Sequence, residues 1–139
     1  MIYPGRCHCG AIGFTFETLR APADWSIRAC QCAFCRAHGV LTTSDPAGSL
    51  AFQCADPTRL ERYRFGLRTA DFFLCNRCGV YVGAAMAGEH GRYGIISVNA
   101  LAPLPTELAR PQPMSYEGES AAERGHRRQE RWTPITGGV

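Results

Sequence analysis

The sequence predicts a mainly β fold, a small sandwich or tent of short antiparallel sheets with little helix. Three observations carry this reading. Apolar residues alternate with polar ones at period two through much of the chain. Clusters of glycine, proline and aspartate break that pattern at short intervals, and only one segment near the C-terminus has helical character. The 139 residues, 45% hydrophobic and 19% charged, are enough for one buried core and too few for two, so residues 1–139 read as a single domain.

In chain order, Ile12, Phe14 and Phe16 alternate with Gly13, Thr15 and Glu17, the pattern of a strand with one buried face. Residues 40–43, 50–53 and 62–65 each read as a short strand, and residues 72–74, 79–82 and 94–98 are rich in aromatic and β-branched side chains. Ala21-Pro22-Ala23-Asp24, Asp45-Pro46-Ala47-Gly48, Ala55-Asp56-Pro57 and Gly88-Glu89-His90-Gly91 supply the turns. Four prolines in residues 102–113 favour extended chain over helix. Residues 119–131 are the best helical candidate. Their interleaved charges read most simply as a solvated helix in a flexible C-terminal tail, 119–139, with an arginine-lined anion site as the alternative.

Composition excludes several function classes. The longest apolar stretch, residues 80–87, falls far short of the roughly 20 residues of a membrane helix. Residues 1–6 carry no basic and apolar export signal, so a reducing cytoplasm is the expected location. The net charge of +3 is too small to argue for nucleic acid, and the absence of lysine makes every strong cation an arginine.

Eight cysteines in such a chain call for an explanation other than disulfides, and their spacing gives one: Cys7-His8-Cys9-Gly10, Cys30-Gln31-Cys32-Ala33-Phe34-Cys35 and Cys75-Asn76-Arg77-Cys78-Gly79, with Cys54 alone. Thiols at intervals of two and three residues are the pattern of zinc ligands. In a strand, residues i and i+2 face one side, which lets Cys7 and Cys9 converge on one ion; a tight turn at Cys75 to Cys78, eased by Gly79, supplies the other half. The two pairs together make a closed four-thiolate structural site. Reduced core thiols or a redox C-x-x-C would explain the pairs less well, the latter because no βαβ unit surrounds Cys75.

Cys30, Cys32 and Cys35 offer three ligands with no local fourth, the arrangement of a catalytic zinc with an open position. Three thiolates leave that ion with a net charge of about −1, suited to holding an incoming thiolate better than to activating water. Cys54 reads as a buried inert thiol, the alternatives being a fourth ligand, which would close the site, or a reactive thiol. His38, three residues past Cys35, is the acid/base candidate, and Arg36 could offset the site's charge or hold a substrate carboxylate. His8 is expected to point away from the metal, and His90 and His126 to lie in solvent.

The motifs Gly5-Arg6-Cys7-His8-Cys9-Gly10-Ala11-Ile12, Cys30-x-Cys32-x-x-Cys35-Arg36 and Phe72-Phe73-Leu74-Cys75-x-x-Cys78-Gly79 together resemble the glutathione-dependent formaldehyde-activating enzyme and centromere protein V family. The resemblance implies a zinc-binding β fold related to a Rab nucleotide-exchange factor. It implies two zinc ions, a structural one at Cys7, Cys9, Cys75 and Cys78 and a catalytic one at Cys30, Cys32 and Cys35. The implied reaction is carbon–sulfur lyase chemistry that forms or cleaves an adduct between a thiol such as glutathione and a small aldehyde. A non-catalytic zinc module for protein or nucleic acid is the alternative from another class, and a homodimer paired through exposed strand edges would suit such a fold.

Overall fold

The computed structural model describes residues 1–139. Eleven strands and two α-helices follow one another as β1 (Ile2–Arg6), β2 (Ile12–Glu17), β3 (Arg28–Cys30), α1 (Ala33–His38), β4 (Thr42–Thr43), β5 (Ser49–Cys54), β6 (Leu60–Tyr63), β7 (Asp71–Cys75), β8 (Tyr81–Gly88), β9 (Gly91–Ser97), β10 (Gln112–Met114), α2 (Ala121–Arg131) and β11 (Thr133–Gly138). The main path of the sheet runs β1-β2-β5-β11-β9-β4-β3-β10, and β6, β7 and β8 form a second arm that rejoins it at β9. The mainly β class is as the sequence predicts. Two pairings, β10 with β3 and β11 with β5, are parallel, so the sheet is open and mixed where antiparallel sheets are expected. No helix is long and apolar enough to cross a membrane.

Period two does what it predicts in β2. Ile12, Phe14 and Phe16 are buried, and they join Phe52 of β5, Phe73 of β7 and Trp25 in one apolar core. Burying a side chain of this size contributes about 1.5–3 kcal/mol, so this face of β2 anchors the sheet. Phe14 and Phe52 meet edge to face with centroids 6.4 Å apart, and Phe52 meets Phe73 at 4.8 Å. Gly5 lies opposite Phe14 in the β1–β2 register, and any Cβ there would overlap the Phe14 ring. The breaker cluster at residues 88–91 is the tight β8–β9 turn, with Gly88 paired to Gly91.

Residues 119–139 differ from the flexible tail that the charge pattern suggests. Ser120 caps α2, its hydroxyl accepting from the Glu123 amide while the Glu123 carboxylate accepts from the Ser120 amide. The helix then turns Arg128 inward, and Trp132 and Thr133 beyond it are buried. Strand β11 inserts between β5 and β9, where Thr133 Oγ1 accepts from the Asp45 amide at 2.8 Å. Interleaved charges conceal this integration, because the apolar anchor is a single tryptophan at the helix end.

Candidate metal centres and the cavity beside them

Both halves of the four-thiol group sit on hairpin turns. Cys7 and Cys9 lie in the β1–β2 connection, beyond the strand in which the i, i+2 rule would place them, and the chain is bent there by Gly10 at φ +83°. The Gly10 amide donates to the Cys7 carbonyl at 3.1 Å. Cys75 ends β7 and Cys78 lies in the β7–β8 turn, where Gly79 has φ +80° and its amide donates to the Cys75 carbonyl at 2.8 Å. The two turns meet. Cys7 Sγ stands 3.7 Å from Cys9 Sγ, Cys9 Sγ stands 3.6 Å from Cys75 Sγ, and all four sulfurs lie within 4.8 Å of one another. A tetrahedron with arms of about 2.3 Å has edges of about 3.8 Å, so these spacings suit one zinc ion.

Backbone amides already support negative charge on these sulfurs. The Ile12 amide donates to Cys7 Sγ and the Arg77 amide to Cys75 Sγ, both at 3.4 Å. Burial pushes the Cys7 thiol up to about 11. Burial would also raise Cys78, but amides of Cys9 and Val80 and the neighbouring thiols outweigh it and bring that thiol down to about 6.

The three-thiol group is built on one short stretch. Cys30 ends β3, where it pairs with Met114 of β10, and the Gln31 amide donates to the Met114 carbonyl at 2.8 Å. Cys32 caps α1, its Sγ accepting from the Cys35 amide at 3.4 Å. Gly39, left-handed at φ 58°, ends the helix. The sulfurs of Cys30, Cys32 and Cys35 lie within 4.8 Å of one another, and no fourth metal-ligating side chain joins them. They share protons unequally: hydrogen bonding from Cys35 pulls Cys30 down to about 5, and Cys35 is correspondingly pushed up.

Cys54 joins neither group. It is half-buried on β5, and its Sγ donates to the Asp56 carbonyl at 2.8 Å. Arg36 and His38 are exposed on α1 and do not line the cavity described below. His38 comes one turn after Phe34 and lies tilted against that ring, with centroids 4.6 Å apart, and 5.8 Å from the Tyr81 ring. His8, His90 and His126 are exposed, as expected.

The three thiols open onto a cavity of about 500 Å³. Phe34, Phe65 and Phe72 form one wall, with centroids 4.7–5.0 Å apart. Arg28, Arg124, Arg127 and Arg128 line it as well. Arg127 donates through two nitrogens to the Glu119 carboxylate, at 2.8 and 3.0 Å, and its guanidinium lies 3.5 Å from the Tyr116 ring centroid. Arg124 shares the same carboxylate at 3.3 Å. These charge-assisted bonds hold the Glu119 carboxyl below its usual range. Arg128 lies over Trp132 at 4.6 Å, and its burial brings the guanidinium down to about 10. Of these residues, the α2 arginines fit the anion-site alternative drawn from the charge pattern. Arg28 escaped it, although the period-two rule places Arg28 and Cys30 on one side of β3. Tyr81 was also missed; its buried ring joins Cys35 and Val40 in a small apolar cluster.

A family model described as glutathione-dependent formaldehyde-activating enzyme matches residues 2–118. The chain belongs to that family. Among solved structures, the crystal structure of a Rhodobacter sphaeroides protein, a Northeast Structural Genomics target, is similar at 31% identity. That alignment covers 80% of this chain and 99% of the other, with a TM-score of 0.57. No curated protein matches. Membership supports a function of the formaldehyde-activating type, with glutathione and formaldehyde as the family's small-molecule partners. All seven clustered cysteines fall inside the family match, whereas α2 and its arginines follow it.

Proposed function

We propose that the chain is a zinc-dependent, carbon–sulfur lyase-like enzyme that forms or cleaves an adduct between a thiol such as glutathione and a small aldehyde. The observation that carries this reading is the inequality of the two thiol groups. Cys7, Cys9, Cys75 and Cys78 supply a full tetrahedral set, while Cys30, Cys32 and Cys35 supply three ligands at the wall of a cavity. A zinc ion held by Cys30, Cys32 and Cys35 would supply the positive charge that favours the thiolate form of a substrate sulfur.

The chain's own residues do the rest. β3 and α1 bring three sulfurs to the wall of the cavity, and the Phe34, Phe65 and Phe72 rings give it an apolar face. Three of the four arginines of α2 are unsuited to the nucleic-acid alternative, since Arg128 is buried and Arg124 and Arg127 are held by Glu119, which leaves Arg131 alone exposed and unpaired.

Cobalt substitution tests the reading. With cobalt in both sites, glutathione is expected to shift the bands of the site at Cys30, Cys32 and Cys35 and to leave those of the four-thiol site in place. Bands unmoved by glutathione or by other cellular thiols overturn it.

A further inference from the structure

We propose that the cavity is an organic-acid site: it takes a small carboxylate with an apolar body, the carboxylate against the guanidiniums of Arg28 and Arg128 and the opposite end at Cys30, Cys32 and Cys35. This deepens the function proposed above by naming the class of molecule that carries the reacting group, and only the orientation of the ligand rests on that reading.

The four cavity arginines fall into two kinds. Arg124 and Arg127 are neutralised within the protein by Glu119. Arg28 and Arg128, each only 7% exposed, have no carboxylate partner. Arg28 Nη2 donates to Ser44 Oγ at 2.5 Å, Arg128 Nη1 donates to Thr69 Oγ1 at 2.8 Å, and Arg128 Nε has no partner. A buried guanidinium held by one hydroxyl, with the Trp132 ring beneath it in the case of Arg128, still lacks a balancing negative charge, a costly arrangement that an anion arriving from the cavity relieves. Glu117, the carboxylate that does line the cavity, is exposed and stands at its rim. The planar guanidinium matches the two oxygens of a carboxylate.

One part of the remaining wall suits an apolar body. Phe34, Phe65, Phe72, Ala70 and Ile95 offer apolar contact and no donors beyond the backbone. An aliphatic or aromatic body finds contact there, while Gln31, Thr42, Thr69 and Ser115 on the same lining can pair the polar groups of a thiol such as glutathione. Arg128 comes from α2, which follows the family match, whereas Arg28 and the apolar wall lie inside it.

Isothermal titration of the zinc-replete protein with phenylacetate, phenylacetamide and inorganic phosphate tests the proposal. Phenylacetate is expected to bind one per chain. The neutral amide, which keeps the body and loses the charge, and phosphate, which keeps the charge and loses the body, should each bind at least about 10-fold more weakly. Arg128→Gln and Arg28→Gln should each weaken phenylacetate by about 10-fold to 100-fold. Thermal melts accompany both variants, and the acid–amide comparison on the unaltered protein needs no substitution.

Equal binding of acid and amide, equal binding of phosphate and phenylacetate, or folded Arg128→Gln and Arg28→Gln proteins with unchanged affinity overturns the proposal. The thiol reading fails separately. Arginine-dependent acid binding with cobalt bands unmoved by thiols leaves the acid site standing without that chemistry, and thiol-shifted bands without acid binding do the reverse.

Discussion

Replacing one ligand in each thiol group should have unequal consequences, and the chain itself sets the difference. Cys9 and Cys75 are separated by 66 residues, and their sulfurs are 3.6 Å apart. Treated as a cross-link that closes a loop of that length, the four-thiol site removes unfolded-chain entropy worth about 4 kcal/mol at 25 °C. The full free energy of binding a structural zinc is on the order of 10–16 kcal/mol, against about 5–15 kcal/mol for the stability of a whole small domain. Cys78→Ser should therefore leave a chain largely unfolded at 25 °C. Cys30 to Cys35 closes only about five residues, for which the same relation gives about 2 kcal/mol. Cys32→Ser should stay folded, with a melting temperature lower by roughly 7 °C, at about 3–4 °C per kcal/mol for a chain of this size. Circular dichroism melts read the fold, and metal analysis of the purified protein should find one zinc per chain in Cys32→Ser against two in the parent. Equal unfolding by both substitutions, or a folded Cys78→Ser with full metal content, refutes the assignment of one site to structure and the other to chemistry.

Chelation should separate the sites in time. A chromogenic chelator is expected to take one zinc per chain while the far-ultraviolet dichroism is unchanged, and the second only as the dichroism is lost; simultaneous release contradicts the two roles. Acid should loosen α2 through Glu119. Its carboxyl lies below the usual range when folded, because Arg127 and then Arg124 donate to it. Its stabilising contribution is thus complete above the unfolded value of about 4.3 and is lost as pH falls through the lowered folded value. Glu119→Gln should melt lower than the parent at pH 7, and the difference between the two proteins should shrink below about pH 4, as followed by melting temperature against pH.

The legible parts of the fold were those governed by one short-range rule. Alternation located β2 and the core positions of β5, and the breaker cluster at residues 88–91 located the β8–β9 turn. The seven clustered cysteines were legible because metal geometry dictates their spacing directly. Strands β3, β10 and β11 were not, since each is held by a distant partner: β10 by β3, and β11 by β5 and β9. α1 has only six residues, and it carries two candidate ligand positions, Cys32 as its cap and Cys35 in its first turn, that read as spacing and not as helix. The same limit affected His38 and Arg36. Sequence proximity to Cys35 suggested a shared site, whereas helical geometry sends both to the outside. The arginines that do reach the cavity come from residues 28 and 124–128, which only the packing of β3 against the C-terminal part of the chain brings together.

The placement of the two thiol groups along the chain follows from what each must survive. A site whose ligand set is complete can be used as a staple, and a staple stabilises most when its ligands are far apart in sequence, as the β1–β2 and β7–β8 turns are. Under the proposed function, the three-thiol site would exchange one ligand with every turnover and could not carry that load, because each exchange would put the fold at risk. Confining Cys30, Cys32 and Cys35 to the junction of β3 and α1 would decouple such coordination changes from global stability. β3, which ends at Cys30, is in turn held from both sides, by β4 and by β10. This division predicts that a zinc-depleted three-thiol site should leave the acid site at Arg28 and Arg128 intact. Phenylacetate affinity of Cys32→Ser within about threefold of the parent would bear that out, and its loss in a folded Cys32→Ser protein would mean that the metal and the guanidiniums are coupled.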